Sequence, residues 1–218
     1  MSNRSRFKKH VVLTVVLFLF PLSLVLFFAF STHHFQTLPY YDLSGKADST
    51  ARYAIAPFAL RNQDDVLFSS DSLRGKVWIA SFYSLSDPLI ADITNQMLVP
   101  NWRYRAQPDI LIVTFSTAGD APADMAEYVR KNTEYNAFPG KWQFLTGTPA
   151  EIDSLAQALF GMQNVRSTST LKLIDDKGHI RGSYNGNLGE DVQKLVEDVG
   201  YLKKEIDEKH FREKKQLE

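Results

Sequence analysis

Lys76–Tyr83 (KVWIASFY) and Asp109–Phe115 (DILIVTF) are short, almost wholly apolar and rich in aliphatic side chains. A strand with one wet face alternates apolar and polar residues, so uninterrupted runs of this length predict strands covered on both faces. Ile93–Tyr104 lies between them with helical length and completes a βαβ unit. Upstream, Tyr53–Leu60 and Val66–Ser69 flank the polar Arg61–Asp65 and predict two short strands joined by a turn.

Downstream, Pro122–Lys131 and Pro149–Phe160 supply helices, the second opened by Thr148-Pro149-Ala150-Glu151, a capping box with proline at the first helical position. Leu171–Asp175 and His179–Tyr184 flank an Asp176-Lys177-Gly178 turn, and Leu188–Ile206 follows with apolar residues at helical spacing. A βαβ half followed by an αββα half predicts an α/β thioredoxin-like fold, a central mixed sheet flanked by helices.

Before this body stands an uncharged run, Val11–Phe30, of 20 residues interrupted only by Pro21. At about 1.5 Å per residue it matches a hydrocarbon core of about 30 Å and predicts a transmembrane helix. Arg4, Arg6, Lys8 and Lys9 precede it, which places the N-terminus in the cytoplasm and the body outside. A cleaved signal peptide is the competing reading, but the run is long for one and leaves through Phe28-Ala29-Phe30-Ser31-Thr32, a poor cleavage site. The expected organisation is a basic cytoplasmic N-terminus (1–10), the anchor (11–30), a linker (31–52), the thioredoxin-like domain (53–206) and a charged, frayed helical tail (207–218).

The chain has 25 basic and 25 acidic residues; with the four leading cations set aside, 21 basic face 25 acidic, a mildly acidic body that argues against a nucleic-acid partner. Cysteine is absent. That excludes disulfide exchange, thiolate nucleophiles, Cys-ligated zinc, iron–sulfur clusters and lipoprotein acylation. No phosphate-cradling glycine motif occurs.

The string Ala80-Ser81-Phe82-Tyr83-Ser84-Leu85-Ser86-Asp87-Pro88-Leu89-Ile90-Ala91-Asp92 resembles the motif of the SCO/SenC family, roughly F-x-F-T-x-C-P-x-x-C-P, with Phe82 and Pro88 setting the phase. His34–Tyr41, Pro57–Asp64, Leu73-Arg74-Gly75-Lys76 and Leu173–Tyr184 carry the resemblance to about residue 205. In that family two cysteines of the motif and a histidine before the later strand bind copper and cycle between dithiol and disulfide. Here those positions hold Asp87, Ala91 and Ser167, and the second proline of the motif is Asp92. Cu(I) selects soft thiolates, which a carboxylate, a methyl and a hydroxyl do not replace. The resemblance therefore implies a non-enzymatic factor with no metal or other cofactor, working through a protein partner such as a respiratory oxidase subunit or an SCO paralogue.

The alternative is a copper metallochaperone with substitute donors, namely His33 and His34 or the thioethers of Met97, Met125 and Met162. Ser84 or Ser86 beside Asp87 offers a serine nucleophile without a histidine, and capping of a helix starting at Pro88 is the simpler use of Ser86 or Asp87. His179 and His210 are expected on the surface. Trp78, Trp102 and Trp142, with Tyr83, Tyr104 and Phe144, are expected in the core.

Overall fold

The computed structural model describes residues 16–17, 19–23, 37–47, 53–133, 138–163, 165 and 169–217. Contacts divide the chain into two units, 1–36 and 37–218. In the first, Val16, Leu17 and Leu19–Ser23 are helical. Most of the expected span Val11–Phe30 lies outside the described residues, among which no helix is long and apolar enough to cross a membrane.

The second unit is built on a seven-stranded mixed sheet. Its strands are β1 (Ala59–Asn62), β2 (Leu67–Ser69), β3 (Val77–Phe82), β4 (Ile110–Phe115), β5 (Trp142–Thr146), β6 (Thr170–Ile174) and β7 (Ile180–Asn185), in the order β2-β1-β5-β4-β3-β6-β7. β3, β4 and β5 run parallel, while β1, β6 and β7 pair antiparallel. The helices are α1 (Ile90–Arg103), α2 (Pro122–Asn132), α3 (Pro149–Phe160) and α4 (Gly189–Leu217), with a short 3-10 turn at Ser70–Leu73.

The central strands are buried on both faces, as their composition predicts. Val77, Ile79, Ile110 and Ile112 pack with Ile93 and Met97 of α1, Met125 and Val129 of α2, and Val192, Leu195 and Val199 of α4. The alternate side chains Trp78, Ala80, Phe82, Leu111, Val113 and Phe115 pack against Ile152, Ala156, Leu159 and Phe160 of α3. In that second layer Phe82 stacks on Phe115 with centroids 4.9 Å apart, and Phe160 sits edge-on to Phe82 at 5.2 Å.

The α3 capping box forms as expected: Thr148 Oγ1 accepts from Glu151 N–H, and Thr148 N–H donates to Glu151 Oε2 at 2.8 Å. α3 ends on Gly161 at φ +63°, where a Cβ would lie 1.8 Å from Leu43 O; only glycine allows residues 41–47 to cross there.

Several elements differ from the sequence reading. β5 is an additional strand; Lys141 and Gln143 break its apolar run, and both are buried because partners satisfy them. Lys141 Nζ donates to Gln107 O, and Gln143 exchanges hydrogen bonds with Asn62 and Gly140. Tyr53–Pro57 is not a strand: Pro57 has no N–H for a ladder, and only an isolated Ala54–His179 bridge and an Ile55 N–H to Gly178 O bond form. The polar Arg61 and Asn62 belong to β1.

Trp102 is exposed on the outer side of α1, not in the core. His179 is half-buried, with Nδ1 3.1 Å from Asp175 Oδ2 and its ring edge-on to Tyr40. His210 is exposed, as expected. Asp207–Leu217 continues α4, supported by the Glu208–Arg212 pair at i,i+4.

Residues 38–41 are bound into the body by one buried arginine. The Arg181 side chain on β7 is 2% exposed; it contacts Asp175 at 3.2 Å and Glu205 of α4 at 2.8 Å. It also donates to Leu38 O and Pro39 O and stacks 4.2 Å over Tyr40. The compact unit accordingly starts at Thr37, ahead of the pattern that begins at Tyr53.

Replacing Arg181 by leucine leaves Asp175 and Glu205 without their cation and is expected to cost about 3–5 kcal/mol of unfolding free energy, measured by urea denaturation. Burial pulls the Lys141 ammonium down to about 8, partly offset by Asp109. Between that value and the ordinary lysine range the unfolded chain holds a proton that the folded chain has released. Stability from this group therefore rises with pH through the window, and the slope between pH 8 and 10 should flatten in Lys141→Met.

Candidate functional site

β3, β4 and β5 end on the same side of the sheet, so the loops Tyr83–Leu89, Ser116–Ala121 and Gly147–Thr148 open together there. Ligands of open α/β sheets bind at such carboxyl ends. The first of these loops carries the motif region, and its path is set by two successive turns. Asp87 N–H donates to Ser84 O, and Ile90 N–H donates to Asp87 O, both at 3.1 Å.

Asp87 is half-buried and its Oδ1 accepts from Leu89 N–H at 2.8 Å. The carboxylate therefore organises the turn ahead of α1, and the helix begins at Ile90 instead of Pro88, with Leu89 at its cap and no side-chain cap bond. Ala91 is exposed in the first helical turn. Ser86 Oγ bonds Ser84 Oγ at 3.0 Å, and neither serine caps the helix.

Asp120 ties the loop down from the β4–α2 connection. Its Oδ2 accepts from Leu85 N–H at 2.9 Å and from Ser116 Oγ at 2.7 Å, while Asp120 N–H donates to Ser116 Oγ. Its carbonyl accepts from Thr146 Oγ1 of β5 at 2.7 Å. One residue thus holds all three strand ends in register. Its sequence context, Gly119-Asp120-Ala121-Pro122, reads only as a loop before a helix, and its partner Leu85 is 35 positions away.

Beneath the loop lies a buried hydroxyl network. Ser81 and Thr114, paired across β3 and β4, bond at 2.8 Å, and Trp142 Nε1–H donates to Thr114 Oγ1 at 2.9 Å. Thr94 of α1 bonds Tyr128 OH of α2 at 2.8 Å. Burial raises the Tyr83 phenol well above its ordinary value, against weaker opposing hydrogen bonds from Thr114 and Thr94. It stays a neutral hydrogen-bonding group across the physiological range, and its hydroxyl sits at 3.5 Å from Thr114 Oγ1.

The register of β6 on β3 pairs Ala80 with Lys172, so the chain entering β6 arrives at the motif-loop end of the sheet. Ser167 lies outside the described residues, as do His33 and His34. His179 sits at the β6–β7 turn, beyond the opposite end of β3, so no described histidine reaches Ser84 or Ser86. Met97 and Met125 are buried in one core layer and Met162 in the other. Among the described residues no three His, Cys, Asp or Glu side chains converge as a metal site would require. The side chains at the motif loop, a hydrogen-bonded carboxylate and a methyl that offers no donor, do not fit copper.

No family model matches the chain. The SCO1 protein homolog of Bacillus subtilis (strain 168) is 27% identical over 160 residues, covering 67% of this chain and 81% of that relative. The solved structure of a SCO1/SenC family lipoprotein from Bacillus anthracis strain Ames superposes with a TM-score of 0.61 at 23% identity, covering 69% of this chain and 95% of the other. BsSco, described as a member of the Sco family of cytochrome c oxidase assembly proteins with a disulfide switch, gives a TM-score of 0.58 at 25% identity, over 68% and 92%. In sequence and fold the chain is therefore similar to SCO/SenC family proteins, and it contains no cysteine.

Proposed function

We propose that the protein is a membrane-anchored, extracytoplasmic accessory factor in respiratory oxidase assembly that works by contact with a protein partner and carries no copper. An oxidase subunit or a cysteine-bearing SCO paralogue is the partner this reading favours. The observation that carries it is the motif loop, whose family sulfur positions hold a carboxylate engaged by Leu89 N–H and an exposed methyl, on a backbone pinned by Asp120. Such a loop keeps its shape without a metal and offers nothing soft enough to hold Cu(I). The relation to BsSco, described as an oxidase assembly protein, supports the pathway. The basic residues ahead of Val11–Phe30 support the anchor, with the N-terminus inside and the domain outside.

The reading that retains copper through substitute donors finds no support in the thioethers, which serve as packing in the two core layers. The chain has no thiol, and among the described residues no histidine stands beside Ser84 or Ser86; the proposed role is non-enzymatic.

Titration of the full chain in detergent with Cu(I), against a competing chelator, is expected to show no stoichiometric binding tighter than about micromolar. A tight one-to-one complex would overturn the proposal. The triple variant Asp87→Cys, Ala91→Cys, Ser167→His is expected to gain one-to-one Cu(I) binding and a reversible disulfide, read by absorbance and thiol counting. If it stays inert, the assignment of those three positions to the family ligands is wrong.

A further inference from the structure

α1 leaves the motif loop and presents a ridge to solvent. Leu89, Asp92, Asn95, Val99 and Trp102 recur at three- and four-residue steps and are all exposed, so they share one side of the helix over about 20 Å. Three of them are large and apolar: Leu89 is 44% exposed, Val99 44% and Trp102 52%. Single exposed aliphatic residues are ordinary, but a tryptophan in solvent at the end of an aligned row is a different matter.

Trp102 is also held still. The Arg105 guanidinium lies 4.0 Å from the ring centroid, and its Nη1 donates to Trp102 O at 2.9 Å. Phe138 meets the indole edge-on at 6.2 Å. A rigid indole flanked by a guanidinium loses little freedom when covered, and Trp and Arg are the side chains that dominate binding hot spots.

The charges on the ridge have a direction. Asp92 stands near the loop; Arg103 and Arg105 stand at the Trp102 end, and among the described ion pairs neither arginine meets a carboxylate. Some solvent-facing arginines do find one, such as Arg61 with Asp65 and Arg212 with Glu208.

We infer that the outer face of α1, from Leu89 to Trp102 and Arg105, is the docking surface for a protein segment with apolar residues along its length and carboxylates at the end that meets Trp102. This inference rests on the reading that the protein works through a protein partner, and it names where and with what chemistry. The apolar residues cover Leu89 and Val99, the indole is buried last, and the carboxylates pair with Arg103 and Arg105. Asp92 repels a segment laid down the other way, so the ridge sets orientation as well as position.

Site-directed photo-crosslinking of the full chain in its own membrane tests this, with p-benzoylphenylalanine in place of Val99 or Trp102, in place of Leu67 on the edge strand β2 as a remote exposed control, and in place of Ser86 in the motif loop as a second site. Adducts to one protein are expected from the first two positions and not from the third. The crosslinked peptide should hold Asp or Glu beside apolar residues, and Arg105→Glu should lower the Val99 adduct at least tenfold. A lysine in place of the partner's carboxylate should restore it. Adducts at Leu67 or at Ser86 but none on the ridge would sink the docking surface while leaving a protein-contact function intact. No adduct from Val99, Trp102, Ser86 or Leu67 would sink both. An adduct to a second copy of this chain, to lipid, or one indifferent to Arg105→Glu would overturn the acidic partner segment.

Discussion

Two adjacent strands, β3 and β4, have every side chain withdrawn from water, so they must be covered on both faces. Much of the architecture is a response. Odd-numbered residues of β3 and even-numbered residues of β4 need the layer that α1, α2 and α4 supply, and the alternate set needs α3 and the aromatic group around Phe115 and Phe160. Parallel pairing of β3 with β4 and of β4 with β5 puts α1 and α2 on one face through successive crossovers in the same direction, while the longer return to β6 carries α3 across the other.

Polar groups inside those layers are mostly held in pairs, Asn101 Oδ1 being buried without a partner. Ser81 and Thr114 sit opposite each other in the register and satisfy one another, with Trp142 Nε1–H as a further donor. Tyr184 OH donates to Asp198, and Arg181 takes both Asp175 and Glu205. The Tyr184–Asp198 and Arg181–Glu205 contacts tie the sheet to α4, and Leu38 ties residues 38–41 to both.

The same economy shapes the motif loop. Its carboxylate, Asp87, and Asp120 from the neighbouring connection both accept from backbone N–H groups of the loop itself. That frame positions an exposed loop and the helix that follows it. A surface of fixed shape is what recognition by contact needs, because little order has to be imposed on binding.

The amino-acid sequence by itself determined the fold class, the doubly covered strands, the α3 capping box and the absence of thiol chemistry, because each follows from residue type or from spacing along a single element. It also placed Asp87 in the loop that follows β3, since the motif directly follows that strand. Only the tertiary structure decided that β5 is a strand, because Lys141 and Gln143 look polar until Gln107 O and Asn62 meet them. The same holds for Asp120, which is bonded to Leu85, and for Trp102, which lies outside the core because α1 turns its other side to the sheet. Periodicity reports which residues share a face; which face meets the core, and which distant group satisfies a polar side chain, is settled by packing between elements.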